Sequence, residues 1–173
     1  MQVISGERRK TGVIFHGDPG NGKSYFVRYL ALKYKLPVYI VSFIPKMTNH
    51  SLIRMFSRVR GPGIVLFEDF DSYFEGRKCL MKDAEFTFDS ILNVLDGMYS
   101  NPKGIIFFLT ANDVRKLDPS IRERPSRFQF VRHIGPPSHE MIMRIFNDTD
   151  HEELIGRSLD EILSLRDRNV GTS

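Results

Sequence analysis

The segment that most constrains the fold is residues 17–24, which read Gly-Asp-Pro-Gly-Asn-Gly-Lys-Ser. This segment fits the pattern G-x-x-x-x-G-K-[ST], and it lies between a short apolar run, residues 12–16, and a stretch of helical character, Lys23–Tyr34. In this pattern, glycines let the backbone curl until several N–H groups face one phosphate, and the following helix adds its partial positive charge. The segment therefore predicts a phosphate-binding loop between a buried strand and a helix.

Two side chains of this loop have predicted roles with ATP and Mg²⁺. The Lys23 ammonium is expected to neutralise β- and γ-phosphate oxygens, and the Ser24 hydroxyl to hold Mg²⁺. A glycine-rich turn that merely ends in Lys-Ser is the alternative, and the strand and helix on either side argue against it. The residues that we assign to nucleotide binding are Gly17, Asp18, Pro19, Gly20, Asn21, Gly22, Lys23, Ser24 and Tyr25.

Apolar runs and helical patterns alternate along the chain, which predicts an α/β fold with a parallel sheet and helices on both faces. The predicted strands are residues 12–16, 37–43, 64–67, 104–110 and 128–133, and the predicted helices between them are Lys23–Tyr34 and residues 49–60 and 88–95. Residues 74–86 are expected to be irregular. Only helical patterns follow residue 135, at residues 138–146 and 158–165. We therefore predict a P-loop core over residues 1–135 and a short, partial helical lid over residues 136–173.

Carboxylates directly follow the third predicted strand, where Ile-Val-Leu-Phe leads into Glu68, Asp69, Phe70 and Asp71. Ligands of open parallel sheets bind at the carboxyl ends of the strands, so these acids are expected beside the phosphates. One carboxylate can hold Mg²⁺, usually through water, and the next can polarise the attacking water. The sequence leaves open which acid has which role. A solvated acidic loop is the alternative.

The later polar segments each allow two interpretations. Asn112 follows the fourth predicted strand, and its amide suits either the γ-phosphate and the lytic water or the cap of the next short helix. Arg122, Arg124 and Arg127 lie within six residues. Guanidinium groups suit the charge that develops on a transferred phosphate, supplied in the same chain or by a neighbour. The alternative is a solvated basic loop that pairs with Glu123.

Together and in this order, these segments resemble the AAA family of ATPases. More narrowly, they resemble the branch that contains the mitochondrial Rieske-protein translocases and its bacterial and phage relatives. The resemblance covers most of residues 12–134, including residues 66–74 (LFEDFDSYF) and 87–97 (TFDSILNVLDG). It implies a sensor strand between the two Walker strands and a ring, commonly hexameric or heptameric.

The resemblance also implies roles for individual residues. The implied groups are Lys23 and Ser24 as Walker A, Glu68 and Asp69 as Walker B, Ser24 and Glu68 as the Mg²⁺ site, Asn112 as sensor 1, and Arg124 and Arg127 as arginines that act on ATP bound by the adjacent subunit. The sequence departs from the family in two of these places. Most members have Asp-Glu where this chain has Glu68-Asp69, although the narrower branch shares the swapped order. The arginine segment has an extra residue and Ser126 in place of glycine, which makes Arg122 a rival for Arg124 and Arg127.

The composition of the chain bears on its disulfides, its location and its partners. Cys79 is the only cysteine of the 173 residues, which excludes an internal disulfide and suits a reducing compartment. An apolar run of about 18 residues, long enough to span a membrane, is absent from the sequence. The formal charge of +4 is mild, so nucleic acid is the less favoured partner. We expect a soluble, cytoplasmic protein.

The expected function is Mg²⁺-dependent hydrolysis of ATP to ADP and phosphate. In this prediction the chain forms a homo-oligomeric ring, or joins a partner AAA subunit, and couples hydrolysis to remodelling or translocation of a protein client. The sequence does not identify that client. Two alternatives stay open: a non-catalytic, ATP-binding ring subunit, and a P-loop kinase of small molecules or nucleotides.

Overall fold

The computed structural model describes residues 11–99, 104–124, 127–146 and 152–170. The strands are β1 Thr11–His16, β2 Val38–Val41, β3 Gly63–Phe67, β4 Phe74–Glu75, β5 Lys78–Cys79, β6 Ile105–Ala111 and β7 Phe130–His133. The helices are α1 Lys23–Tyr34, α2 Asn49–Ser57, α3 Phe70–Tyr73, α4 Phe88–Tyr99, α5 Pro119–Arg122, α6 His139–Ile145 and α7 Leu159–Val170. Short 3₁₀ turns cover Val114–Lys116 and Glu152–Leu154.

Five strands form one parallel sheet in the order β2-β3-β6-β1-β7. All five residues of β3 are buried, because helices cover both faces of a central strand of this kind. The order confirms the predicted α/β fold, and β6 lies between β1 and β3 as the family resemblance implies. Since all five strands are parallel, the segments that follow β1, β3 and β6 meet at one edge of the sheet.

The two faces of the sheet carry cores of different size. The face covered by α2 and α4 holds a large aromatic cluster around Phe43, Phe67 and Phe74. The face covered by α1 holds a smaller cluster around Val27 and Leu66. The large core therefore lies on the side of the sheet opposite α1.

Two local predictions are wrong. Residues 74–86 are not irregular throughout, because β4 and β5 form a small antiparallel hairpin directly after α3. Phe74 and Phe86 anchor this region in the aromatic cluster, where their rings meet edge to face at 6.0 Å. Helix α4 continues to Tyr99, four residues beyond the predicted end at residue 95.

The helical segment after β7 packs around its own small core. Ile142, Leu154 and Ile162 are buried together there. The backbone N–H of Asp160, in the first turn of α7, donates to the carbonyl oxygen of Gly20 at 3.0 Å. This segment therefore touches the phosphate loop directly. Within the described ranges, every helix is too short or too polar to cross a membrane.

Candidate nucleotide-binding site

The phosphate loop runs from the end of β1 to the start of α1, and two of its glycines are required by their surroundings. Gly17 has φ 142°, and a Cβ built there would lie 2.1 Å from the carbonyl oxygen of Ile134. Gly22 has φ 80°, and its Cβ would lie 2.8 Å from Cδ2 of Leu159. Only glycine tolerates such contacts together with a left-handed backbone. The loop is therefore packed closely between β7 and the helical segment.

Helix α1 begins without a side-chain cap. Its N-cap residue is Gly22, and its first turn contains no acidic residue. Helices α2, α5 and α6, by contrast, have the N-cap residues Thr48, Asp118 and Ser138, and each of these side chains accepts a backbone N–H of its helix. The first N–H groups of a helix lack partners within the helix and attract anions. The start of α1 is thus suited to bind a phosphate.

Lys23 lies at the centre of the site and is 6% exposed. Its Nζ donates to the carbonyl oxygens of Gly17 at 2.7 Å and Asp18 at 3.0 Å, and to Oδ1 of Asn112 at 2.9 Å. Burial lowers the pKa of Lys23 below its usual value, and the nearby carboxylates, of which Asp69 has the largest effect, oppose this change. An ammonium group is therefore positioned under the loop.

A cleft of about 270 Å³ opens above this lysine. The residues that line it are Pro19, Gly20, Gly22, Lys23, Ser24, Tyr25, Asp69, Asn112 and Asp160. The loop, the acidic end of β3 and the end of β6 thus meet at one cavity, as the sequence predicts, whereas Asp160 was not foreseen. The Ser24 hydroxyl and the Asp69 carboxylate are oxygen donors of the kind that Mg²⁺ prefers, so the cleft fits this ion. A larger apolar groove of about 530 Å³ lies between α2 and α4, away from these residues.

The two predicted Walker B acids have different surroundings. Asp69 lines the cleft, and its backbone is left-handed, with φ 45° and ψ 50°. Glu68 is not a lining residue of the cleft, and its Oε1 accepts a hydrogen bond from Nη2 of Arg28 on α1 at 3.0 Å. The first of the two acids is therefore held by α1, while the second faces the cleft.

Asn112 does not cap the following 3₁₀ turn. Asp113 has that role, because its Oδ1 accepts the backbone N–H of Arg115 at 2.9 Å. The Arg115 guanidinium also binds this carboxylate and lowers the pKa of Asp113 to about 2. The side-chain oxygen of Asn112 accepts instead from Lys23. The helix cap that the sequence allowed for Asn112 is thus provided by Asp113.

Sequence reasoning gave no separate role to Asp71, the third acid after β3. Its carboxylate is 5% exposed and accepts the backbone N–H groups of Asn112 and Asp113 at 2.9 to 3.1 Å. In the opposite direction, the backbone N–H of Asp69 donates to Oγ1 of Thr110 at 2.9 Å. The only feature of the sequence that could have pointed to Asp71 is its position two residues after Asp69.

The predicted arginines lie in different environments. Arg127 is 3% exposed, and Nε and Nη2 of its guanidinium donate to the two carboxylate oxygens of Asp96 at 2.9 and 2.8 Å. Its Nη1 donates to the carbonyl oxygen of Ser120 at 2.8 Å. The guanidinium of Arg127 is thus bound inside its own chain, and its role toward an adjacent subunit stays a prediction. Arg124 is exposed, and Nη2 of Arg122 lies 3.0 Å from a carboxylate oxygen of Glu123.

The strand order, the glycine loop between β1 and α1, and the cleft at the carboxyl ends of the strands together define a P-loop nucleoside triphosphatase fold. Within this class, the family model described as "ATPase family associated with various cellular activities (AAA)" matches residues 13–136. The match covers well over half of the chain, which therefore belongs to the AAA family.

Curated relatives support this result. The chain is 33% identical over 141 residues to the "Probable mitochondrial chaperone bcs1" of Schizosaccharomyces pombe, a match that covers 79% of this chain and 31% of the relative. It is 30% identical over 145 residues to the human "Mitochondrial chaperone BCS1", covering 79% and 34%. It is 28% identical over 145 residues to the "ATP-dependent zinc metalloprotease FtsH" of Mycoplasmopsis synoviae, covering 77% and 22%. The chain thus spans about a third or less of these relatives.

Proposed function

We propose that this chain binds ATP with Mg²⁺ and hydrolyses it. The observation that carries the proposal is the position of Lys23, whose buried ammonium joins the phosphate loop to Asn112 beneath a cleft that Asp69 also lines. A positive group, an uncapped helix start and a carboxylate around one cavity are what the terminal phosphates of ATP and the attacking water require. ATPase activity is also the general property of the AAA family.

The remaining roles follow from the position of each group. In this proposal, phosphate oxygens replace some of the present acceptors of Lys23, and the start of α1 binds the same phosphates. Ser24 and Glu68 would hold the metal, which requires that the Glu68 carboxylate be released from Arg28. Mg²⁺ when bound neutralises charge on the phosphate oxygens. Asp69 lines the cleft, so it is the better placed acid to accept a proton from the attacking water.

Assembly belongs to the same proposal. AAA proteins commonly form rings, and Arg124 is exposed on the segment that carries the arginines. We propose that Arg124 acts on ATP bound by an adjacent subunit, either a second copy or a partner AAA chain. Several relatives are named chaperones, so a protein client is the proposed target of the work that hydrolysis performs. A cytoplasmic location stays a prediction, since these relatives are named as mitochondrial.

A non-catalytic, ATP-binding ring subunit is the second candidate. Two observations favour it: Glu68 is engaged by Arg28, and Asp69 is one methylene shorter than the glutamate found here in most AAA proteins. Under this alternative the chain binds ATP without releasing phosphate. The kinase alternative loses its support, because the chain belongs to the AAA family.

Steady-state phosphate release by the wild type and by Lys23→Ala tests the proposal. We expect ATP hydrolysis by the wild type and a loss of at least about 100-fold in the variant, because a preorganised charge at the phosphates is removed. Lys33→Ala is the matched control, since it removes an exposed positive charge from the same helix, and it should retain activity. Equal activity in wild type and Lys23→Ala would contradict the proposed site. Tight ATP binding without phosphate release by the wild type would favour the non-catalytic subunit.

A further inference from the structure

The ends of β3 and β6 are joined by hydrogen bonds that run in both directions. Backbone N–H of Asp69, after β3, donates to the Thr110 hydroxyl in β6, while the Asp71 carboxylate accepts the backbone N–H groups of Asn112 and Asp113, after β6. We call this arrangement the strand-end clasp, formed by the side chains of Asp71 and Thr110 and the backbone of Asp69, Asn112 and Asp113. These contacts link residues 41 or 42 positions apart in the sequence.

The buried carboxylate of Asp71 needs hydrogen bonds to replace its contacts with water. Removing a carboxylate from water costs free energy unless hydrogen-bond donors compensate, and two backbone N–H groups do so here. Asp71 is 5% exposed and is not one of the residues that line the cleft. It therefore acts on the site through the residues that it holds and not by contact with a ligand.

The residue that Asp71 holds most directly is Asn112. Both carboxylate oxygens of Asp71 lie 3.0 to 3.1 Å from the backbone nitrogen of Asn112. The side chain of the same residue accepts from Lys23 at 2.9 Å. Since the Asn112 side chain rotates about only two bonds, fixing its backbone restricts where its amide can lie relative to Lys23.

The opposite half of the clasp acts on the acidic side of the cleft. Asp69 has a left-handed backbone, which is costly for a residue other than glycine and persists only when its surroundings hold it. Thr110, which is fully buried, binds its N–H and restrains this conformation. The clasp thus restrains two cleft residues, Asp69 and Asn112, from neighbouring strands.

We propose that Asp71 is a positioning residue for ATP hydrolysis, which sets the Asn112 amide against Lys23 at the distance that turnover requires. This inference rests on the proposed ATPase function. It predicts that the effect of Asp71 on turnover passes through Asn112. It also predicts that ATP affinity depends little on Asp71, since the phosphate loop and α1 lie outside the clasp.

A double-mutant cycle of Asp71→Asn and Asn112→Ala tests the proposal. Asp71→Asn keeps the side-chain volume but replaces one of the two accepting carboxylate oxygens with an amide NH2 group, which cannot accept. We expect kcat to fall by as much as about 100-fold with KM for ATP nearly unchanged, because the reacting groups are misplaced while binding persists. In the Asn112→Ala background, the same change should reduce kcat little further. Effects on kcat that multiply independently would overturn the proposal.

Asp118→Asn is a matched control for general loss of stability. The Asp118 carboxylate also accepts a backbone N–H, that of Ser120 at 2.9 Å, but it caps α5 and does not contact Asn112. The factors by which Asp118→Asn and Asn112→Ala change kcat should therefore multiply independently. The proposal fails if Asp118→Asn and Asp71→Asn couple equally to Asn112→Ala, since coupling would then reflect stability alone.

A second pair of variants tests the clasp if Asp71→Asn does not fold, and hydrogen exchange adds a structural measurement if it does. Thr110→Val removes the hydroxyl that holds the N–H of Asp69, whereas Thr110→Ser retains it, so kcat should fall in the first variant and recover in the second. In Asp71→Asn the backbone amides of Asn112 and Asp113 should exchange hydrogen faster than in the wild type. Equal kcat in Thr110→Val and wild type, or unchanged exchange at these two amides, contradicts the clasp.

The two proposals fail in different ways. If the wild type hydrolyses ATP and Lys23→Ala does not, the proposed function is established without reference to Asp71. Once the function is established, effects of Asp71→Asn and Asn112→Ala on kcat that multiply independently overturn only the positioning role of Asp71. A wild type that binds ATP and never releases phosphate overturns the hydrolytic function, and the role of Asp71 in turnover with it.

Discussion

The nucleotide cleft and the arginine segment, residues 117–128, both carry the charged residues that the family pattern identifies, but the two regions use them differently. In the cleft, Lys23 and Asn112 come from different elements and contact each other directly. In the arginine segment, Arg127 is buried against Asp96 of α4, while Arg124 is exposed. A motif thus specifies the chemistry of a residue without specifying whether its partner lies in the same chain.

The two arginines differ for a physical reason. A guanidinium that leaves water must be paired, and the two parallel hydrogen bonds between Arg127 and Asp96 are the geometry that best compensates for this cost. The third bond, to the carbonyl oxygen of Ser120, ties α5 to the same guanidinium. Arg127 therefore holds the segment in place. Arg124 lies three residues earlier and is exposed at the surface.

The largest expected effect that separates the regions comes from Arg124→Ala. At protein concentrations where wild-type specific activity is maximal, ATP hydrolysis should fall about 1000-fold or more, the usual contribution of an arginine that acts on a transferred phosphate. ATP affinity and the free energy of unfolding should change little, because the side chain is exposed. The measurement is phosphate release as a function of protein concentration, beside ATP binding.

Mixing experiments decide whether Arg124 acts on a neighbour. Lys23→Ala subunits retain Arg124, and Arg124→Ala subunits retain an intact phosphate loop, so a mixture of the two inactive proteins should recover part of the activity. Arg115→Ala is the control, since this arginine is 85% exposed and pairs with Asp113. If the mixture stays inactive while activity depends on Arg124, the arginine acts within its own chain.

The next effect is on stability and comes from Arg127→Ala. Breaking a buried ion pair by removing one partner costs about 3 to 5 kcal/mol, and we expect the lower end because the side chain of Asp96 is 49% exposed. Arg127→Lys should recover less than half of the loss, since an ammonium cannot make both bonds. Urea unfolding at constant m-value measures both changes. A stable Arg127→Ala protein that loses only assembly-dependent hydrolysis would make Arg127 the residue that acts on the neighbour.

Local signals were enough to predict the main elements of the fold and part of the site. The glycine pattern fixed the loop between β1 and α1, and apolar runs identified the five strands of the sheet. The hairpin of β4 and β5 was missed, because no alternating pattern marks it. Its anchor, Phe74, is buried by rings such as Phe43, 31 positions away in the sequence, which contact it only after folding.

The same limit applies to the site. The contact of Asp71 with Asn112 joins residues 41 positions apart, and that of Arg127 with Asp96 joins residues 31 apart. Neither pairing leaves a local pattern in the sequence. For Asn112, the sequence allowed a helix cap or a cleft position, and the neighbouring Asp113 takes the cap because its carboxylate accepts the N–H of Arg115. Local patterns therefore identified candidate residues, and long-range contacts decided how each is used.

The smallest expected effect concerns the Arg28–Glu68 pair at the edge of the cleft. The two side chains are 56% and 27% exposed and lie 3.0 Å apart, so their contribution to the free energy of unfolding should be at most about 1 kcal/mol. If Glu68 must leave Arg28 to hold Mg²⁺, Arg28→Ala should lower the Mg²⁺ concentration for half-maximal hydrolysis by up to about fivefold, the equivalent of that energy. Lys33→Ala removes a charge from the same helix and should leave this concentration unchanged. A higher Mg²⁺ requirement in Arg28→Ala would mean that the pair orients Glu68 for the metal and does not compete with it.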